Sequence, residues 1–164
     1  YGVPVISLCD TPGFMVGPDS EKTAAVRRGS RLIVAGANLS VPMFTIITRK
    51  GYGLGAQAMA GGSLHHPFFS IAWPTAELGP MGLEGAVELG FKKELMAAED
   101  GPERRALYER LVAGLYEKGK AVSVASVFEI DAVIDPKETR SWLVRGMKMA
   151  GSKQRERNSY VDVW

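Results

Sequence analysis

The residues of this sequence with the spacing to do chemistry are glycines more than charged side chains. An apolar run, Val41 to Thr48, delivers the chain into Gly51-Tyr52-Gly53-Leu54-Gly55-Ala56-Gln57-Ala58-Met59-Ala60-Gly61-Gly62, the pattern of a strand, a glycine turn and a short helix. Glycines at such a turn let consecutive backbone amides point into a pocket at a helix N-terminus, where they stabilise developing negative charge without a side-chain nucleophile. The same residues fit a dinucleotide fingerprint, Gly51-x-Gly53-x-x-Ala56, with Glu77 as a ribose-binding acid further on. Two features weigh against that second reading: Gly61-Gly62 cut the helix short, and Pro74-Thr75-Ala76 separates Glu77 from its strand.

The side-chain constellations are poorer. Asp10-Thr11-Pro12-Gly13 ends an apolar run and would suit a metal ion beside a nucleotide, but the Gly-x4-Gly-Lys-Ser/Thr phosphate loop is absent. The plainer reading is a turn in which Pro12 and Gly13 fix the backbone and Asp10 pairs with neighbouring amides. His65 and His66 are adjacent and point in different directions, with no third ligand or Ser/Asp partner at a useful spacing. Cys9 sits inside a strand and reads as a small core residue, while Glu84, Glu88, Glu94 and the arginine pairs read as solvated helix faces. Cys/His pairs at zinc-ligand spacing are missing, so no metal is expected in this chain.

The elements that must position the glycine turn alternate. Val3 to Cys9 reads as a buried strand; Ser20 caps a helix with Ala25, Leu32, Gly36 and Leu39 on one face, ending near Asn38; Val41 to Thr48 is the second strand. Phe68 to Trp73 is a third strand broken by Pro74, Glu77 to Gly82 a turn, and Glu84 to Leu89 part of a helix. Asp100-Gly101-Pro102 opens a helix with Leu107, Leu111 and Leu115 in line, stopped by Gly119. Asp131 to Ile134 is a last short strand, and Asp135-Pro136-Lys137-Glu138 supplies an N-cap, a proline at N1 and a carboxylate at N3. This order predicts an α/β layered domain over residues 1–150, followed by a polar, loosely ordered tail at 151–164.

Composition narrows the partners. The 164 residues are 46% hydrophobic and 23% charged, the balance of one soluble globular domain. Twenty Lys and Arg against eighteen Asp and Glu leave a net charge of +2, too small and too evenly spread to argue for nucleic acid. No apolar run reaches the ~18 to 20 residues of a membrane span, and the single cysteine excludes an internal disulfide and makes a reducing cytoplasm the default compartment. The abrupt start at Tyr1, with no initiator Met, suggests a piece of a longer chain.

Six blocks read together carry more. Asp10-Thr11-Pro12-Gly13-Phe14, Arg27-Arg28-Gly29, Thr48-Arg49-Lys50-Gly51-Tyr52-Gly53, Ala72-Trp73-Pro74-Thr75-Ala76-Glu77, Met81-Gly82-Leu83-Glu84-Gly85-Ala86-Val87 and Val133-Ile134-Asp135-Pro136-Lys137-Glu138-Thr139-Arg140 are co-linear from Val3 to about Met147. In this the sequence resembles the C-terminal half of the carboxyltransferase subunit of biotin-dependent acyl-CoA carboxylases. The resemblance implies a crotonase-like (ClpP/crotonase) fold, a ββα superhelix.

It also implies a mechanism. Carboxybiotin on a separate carrier domain releases carbon dioxide, biotin takes a proton from the α-carbon of an acyl-CoA, and the enolate attacks the carbon dioxide. Backbone amides stabilise charge on the ureido oxygen and on the thioester oxygen, the latter from the N-terminal half. Carried over by motif, the ureido hole falls on the amides of Leu54 and Gly55, after Tyr52-Gly53; many relatives have Gly-Ala there. Gly13 and Phe14 match a turn beside the biotin ring, Gly53 belongs to the same biotin-binding turn, Met81 and Gly82 a second turn facing the groove, and Gln57 a position lining the acyl pocket. The implied partners are biotin carboxyl carrier and biotin carboxylase components, acyl-CoA, and further copies of the subunit in a trimer or dimer of trimers. Decarboxylases of the same family run related chemistry and stand as an alternative, as does the dinucleotide module.

Overall fold

The computed structural model describes residues 1–151, so the expected tail lies, beyond Gly151, outside the described residues. Its centre is β2 (Met43–Tyr52), whose first five residues, Met43-Phe44-Thr45-Ile46-Ile47, are all buried. β-branched and aromatic side chains favour the extended backbone, and a continuous rather than alternating apolar run suits a strand covered on both faces. β1 (Val5–Thr11) pairs with one edge of β2, in register from Val5 opposite Met43 to Cys9 opposite Ile47. On the other edge β3 (Phe69–Ala72) pairs with Phe44 to Ile47, and β4 (Glu77–Gly79) continues beside Lys50 to Tyr52. β5 (Ala132–Val133) joins the far side of β3, and these strands all pair in parallel, with an isolated antiparallel bridge from Glu77 to Lys120.

Successive side chains of β2 point to opposite faces, so the core divides in two. Ile47 enters a cluster with Cys9, Ala56, Leu78 and Ala121, while Phe44 and Ile46 enter one with Phe69, Ile71 and Ile134. The second cluster is closed by α8 (Thr139–Ala150), where Trp142 stacks edge-on to Phe69 at 5.8 Å. The remaining helices are α1 (Pro18–Lys22), α2 (Ala25–Ala37), α3 (Gly53–Met59), α4 (Leu83–Gly90), α5 (Lys92–Ala97), α6 (Pro102–Gly119) and α7 (Ala121–Ala125).

Several expectations need correction. The helix expected from Ser20 is two helices: the Thr23 hydroxyl and the Ala24 amide turn back onto the Ser20 and Glu21 carbonyls, and Ala24 takes a left-handed backbone, φ 54°. Ser20 therefore lies inside α1 rather than capping it, and Leu32 is exposed rather than on a buried face. The first strand is displaced to Val5–Thr11, and the second runs to Tyr52 rather than stopping at Thr48. Glu77 to Gly79 is a strand, not a turn: Trp73 to Ala76 makes the turn at Pro74, and the chain then resumes pairing beside the open stretch of β2. α5 and α7 have no counterpart in the expected elements. Asp135 does cap, accepting from the Lys137 amide at 3.0 Å, but the first turn it caps is a 3-10 helix, Pro136–Glu138.

Candidate active site

Because β1, β2 and β4 are parallel, their C-terminal ends lie at one end of the sheet, the place where open α/β sheets present ligand sites. Three backbones meet there. A Cβ on Gly55 would lie 2.9 Å from the Gly13 Cα and 3.0 Å from Thr11 Oγ1, so β1's exit and α3 touch through bare backbone. A Cβ on Gly53, at φ +56°, would lie 2.7 Å from the Pro80 carbonyl oxygen, bringing in the turn after β4. Gly13, at φ +101°, abuts the Tyr52 carbonyl, and its amide donates to Thr11 Oγ1 at 3.2 Å. At these positions a side chain would push the turns apart.

Tyr52 ends β2 with extended backbone and serves as N-cap of α3. Leu54 and Gly55 are then the second and third helical residues, whose N–H groups a helix leaves without an intrahelical acceptor. Two consecutive donors at this position suit an oxyanion. The Tyr52 ring is buried, and its hydroxyl donates to Glu77 at 2.9 Å. Burial first, and that hydrogen bond second, push the phenol well above its ordinary range, so it stays protonated. Beside α3 opens a cavity of about 470 Å³, touched by Gly53, Leu54 and Gln57 on one side and by Leu64, Val124 and Glu129 on the other.

The expected site residues divide. Gly13, Gly53, Leu54 and Gly55 come together as described, and Gln57 lies in the wall of the cavity. Phe14 turns its ring against α2, where a Cβ on Gly29 would lie 2.6 Å from the ring tip. Gly82 caps α4 in open space, Met81 beside it is partly exposed, and neither lines the cavity. Pro80, Thr11, Leu64 and Val124 were not anticipated. Thr11 and Pro80 had a signal in the sequence, as members of the Asp10-Thr11-Pro12-Gly13 turn and of the turn after Gly79; Leu64 and Val124 had none.

The other candidates are spent elsewhere. Asp10 accepts from Arg49 Nε and from the Lys50 amide, both at 3.1 Å, tying β1 to β2. Cys9 is fully buried, and desolvation, with the Asp10 charge behind it, raises its thiol to about 11. His65 faces Glu129 at 3.8 Å on the surface, and His66 packs over Gly61. Glu84 is exposed, as expected of a solvated helix face, and there accepts from the Tyr116 hydroxyl at 2.8 Å. Among the described residues no group of three or more His, Cys, Asp or Glu is placed to hold a metal. The dinucleotide reading loses its geometry: Gly51 lies within β2, and the Glu77 carboxylate is engaged by Tyr52.

The carboxyl transferase domain family matches residues 1–161. The chain belongs to that family. It is 36% identical over 156 residues to the carboxyltransferase subunit of a propionyl-CoA carboxylase from Haloferax mediterranei, a match covering 94% of this chain and 30% of that subunit. Among solved structures it resembles a single-chain, multi-domain long-chain acyl-CoA carboxylase, with 58% identity, a TM-score of 0.76, and coverage of 89% of this chain and 14% of that one. The transcarboxylase 12S hexamer with methylmalonyl-CoA and methylmalonic acid bound gives a TM-score of 0.85 at 30% identity, over 98% of this chain and 30% of that one. The chain lies in the C-terminal half of the family's subunit and has its crotonase-like α/β fold. It spans about three tenths of the length of the curated relatives it matches. No helix among the described residues is long and apolar enough to cross a membrane.

Proposed function

We propose that this chain is the biotin-facing part of a carboxyltransferase that moves a carboxyl group from biotin, carried on a separate domain, to the α-carbon of an acyl-CoA. The observation that supports the site assignment is the contact of Gly13, Gly53 and Gly55 with neighbouring backbone, which seats the first turn of α3 against the exits of β1 and β4, with Gly53 and Leu54 in the wall of the cavity and Gly55 buried behind them. That bare cradle fits the flat ureido ring of biotin, which when bound supplies the carboxyl group and the base. The chain's own part is electrostatic. The two amides hold the ureido oxygen as negative charge gathers on it, and Gln57 stands in the wall where the acyl group enters. Gly13 backs the turn from behind, while Phe14, against α2, and Met81 and Gly82, outside the cavity lining, have no part in this assignment.

The match of this chain to carboxyltransferase subunits of acyl-CoA carboxylases supports carrier and biotin carboxylase components as partners, and the hexamer of the transcarboxylase relative supports a homo-oligomer. The decisive experiment replaces the Gly55 amide by an ester in the full-length subunit. Removing one oxyanion donor lowers turnover by roughly two to three orders of magnitude while leaving every side chain in place. A folded ester variant with wild-type turnover would show that the Gly55 amide plays no such part.

A further inference from the structure

The turn that carries the Leu54 and Gly55 amides has little of its own to hold it. Gly53 and Gly55 have no side chain and Leu54 is half exposed, so the nearest buried side chain upstream is that of Tyr52. Tyr52 stands opposite Gly79 in the strand register, and a Cβ on Gly79 would lie 3.4 Å from two of its ring carbons. From there its hydroxyl reaches Glu77 Oε2, two residues back along β4, at 2.9 Å. The same strand meets the turn a second time, through the Pro80 carbonyl against Gly53. β4 is itself fixed from behind: the Ala121 amide donates to the Ala76 carbonyl, and a Cβ on Gly119 would lie 2.7 Å from the Leu78 carbonyl oxygen. A three-residue strand backed by the junction of α6 and α7 therefore holds the turn from its first residue and from just beyond its last.

A phenylalanine at 52 would fill the same space with no polar atom to satisfy. A hydroxyl on a residue only 3% exposed costs stability unless it is bonded, and its acceptor here is a partly buried carboxylate. A satisfied polar pair of this kind rigidifies the elements it joins. Resting on the carboxyltransferase reading above, we infer that Tyr52 and Glu77 are positioning residues, whose hydrogen bond holds the first turn of α3 where the Leu54 and Gly55 amides meet the oxyanion. Neither side chain lines the cavity, so the pair acts through the turn. Burial and the Glu77 bond keep the phenol protonated, so the donor is retained through neutral pH. Tyr116 and Glu84 make the same kind of bond at 2.8 Å between α6 and α4, with no residue of the turn in it, and so provide a matched control.

The test uses the full-length subunit with its biotinylated carrier and whichever of acetyl-, propionyl- and octanoyl-CoA it carboxylates fastest. Tyr52→Phe and Glu77→Ala should each lower kcat about tenfold or more while KM for carrier and acyl-CoA stays within about twofold, since a small displacement of the donors is felt in the transition state rather than in binding. Glu77→Gln keeps an acceptor for the phenol and should recover most of what Glu77→Ala loses. Tyr52→Phe combined with Glu77→Ala should fall no further than either alone, because both remove one bond. Tyr116→Phe should leave kcat within about twofold of the parent. Parental kcat in Tyr52→Phe, or an effect confined to KM, overturns the inference and leaves the carboxyltransferase reading standing. An equal loss in Tyr116→Phe overturns it by reducing the bond to general stability, and additive losses in the double variant, or no recovery in Glu77→Gln, overturn it by denying that the two residues act through one hydrogen bond. A parent subunit that carboxylates none of the three thioesters with a loaded carrier instead defeats the reading, and the inference with it.

Discussion

Gly53 is the residue on which the geometry of the turn depends most directly. Its φ of +56° is a left-handed backbone, and the missing Cβ leaves room for the Pro80 oxygen at 2.7 Å. Gly53→Ala brings both a conformational penalty and a clash with a backbone atom that has no rotamer to escape into, together about 1 to 3 kcal/mol. A denaturation midpoint unchanged by the substitution would refute this placement. Cys9 makes a prediction of a different kind. Its thiol is neutral in the fold and raised from 9.0 to about 11, so the stability it contributes is complete below pH 9 and is lost as pH rises through 11. Tyr52, also raised, acts in the same direction at still higher pH. Denaturation series between pH 8 and 11 should therefore show falling stability, and Cys9→Ala should flatten the fall between 9 and 11. At this scale the sequence was readable where residue type states a backbone need, as at Gly53 and Gly55. It was silent on what they touch, because Thr11 and Pro80 arrive from β1 and β4 through pairing that no local pattern encodes.

Helix against turn is the next level, and α2 shows how little tolerance it has. Gly36 is buried, and a Cβ there would fall 2.4 Å from the Gly61 Cα, backbone against backbone. Since Gly61 follows α3 directly, this contact fixes the C-terminal end of the helix whose first turn carries the proposed site. Gly36→Ala must drive α2 and the 60–62 turn apart, with a destabilisation of about 1 to 3 kcal/mol. In the full-length subunit turnover should fall with it, and an alanine variant as stable as the parent would mean the two elements do not meet. The sequence placed Gly36 on the inner face of a helix ending at Asn38, and the structure agrees. It misread Leu32, which lies on the same face four residues earlier in α2 yet is half exposed: the 3.6 residue period states which residues share a face, not how far along the helix that face is covered. β4 was missed for a related reason: Glu77-Leu78-Gly79 has no strand pattern of its own and is held extended by the free edge that Lys50 to Tyr52 offers.

For the molecule as a whole, the question is what covers β1. It is an edge strand of the sheet among the described residues, and its alternation is that of a strand half in contact: Cys9 is fully buried, whereas Ile6 and Leu8 are 46% and 59% exposed. Val3, before the strand, is exposed as well. A parallel edge with apolar side chains and unpaired amides is a template for another chain. The relatives are about three times as long as the matched stretch, so in them further chain is at hand for this edge. The chain studied alone should instead cover it by self-association, and sedimentation across micromolar concentrations should show species larger than a monomer. Ile6→Lys with Leu8→Lys should return it toward a monomer, since charge on an exposed strand face opposes pairing without entering either core cluster. Carboxylation by the isolated chain should be negligible under the same conditions, because it carries the amides proposed for one oxyanion only. Losing a single such donor already costs about 2.7 to 4 kcal/mol of transition-state stabilisation, and on the proposed reading an entire second hole comes from elsewhere. Turnover by the isolated chain near that of a whole subunit would therefore overturn the division of the site between two parts of the protein, while leaving the fold untouched.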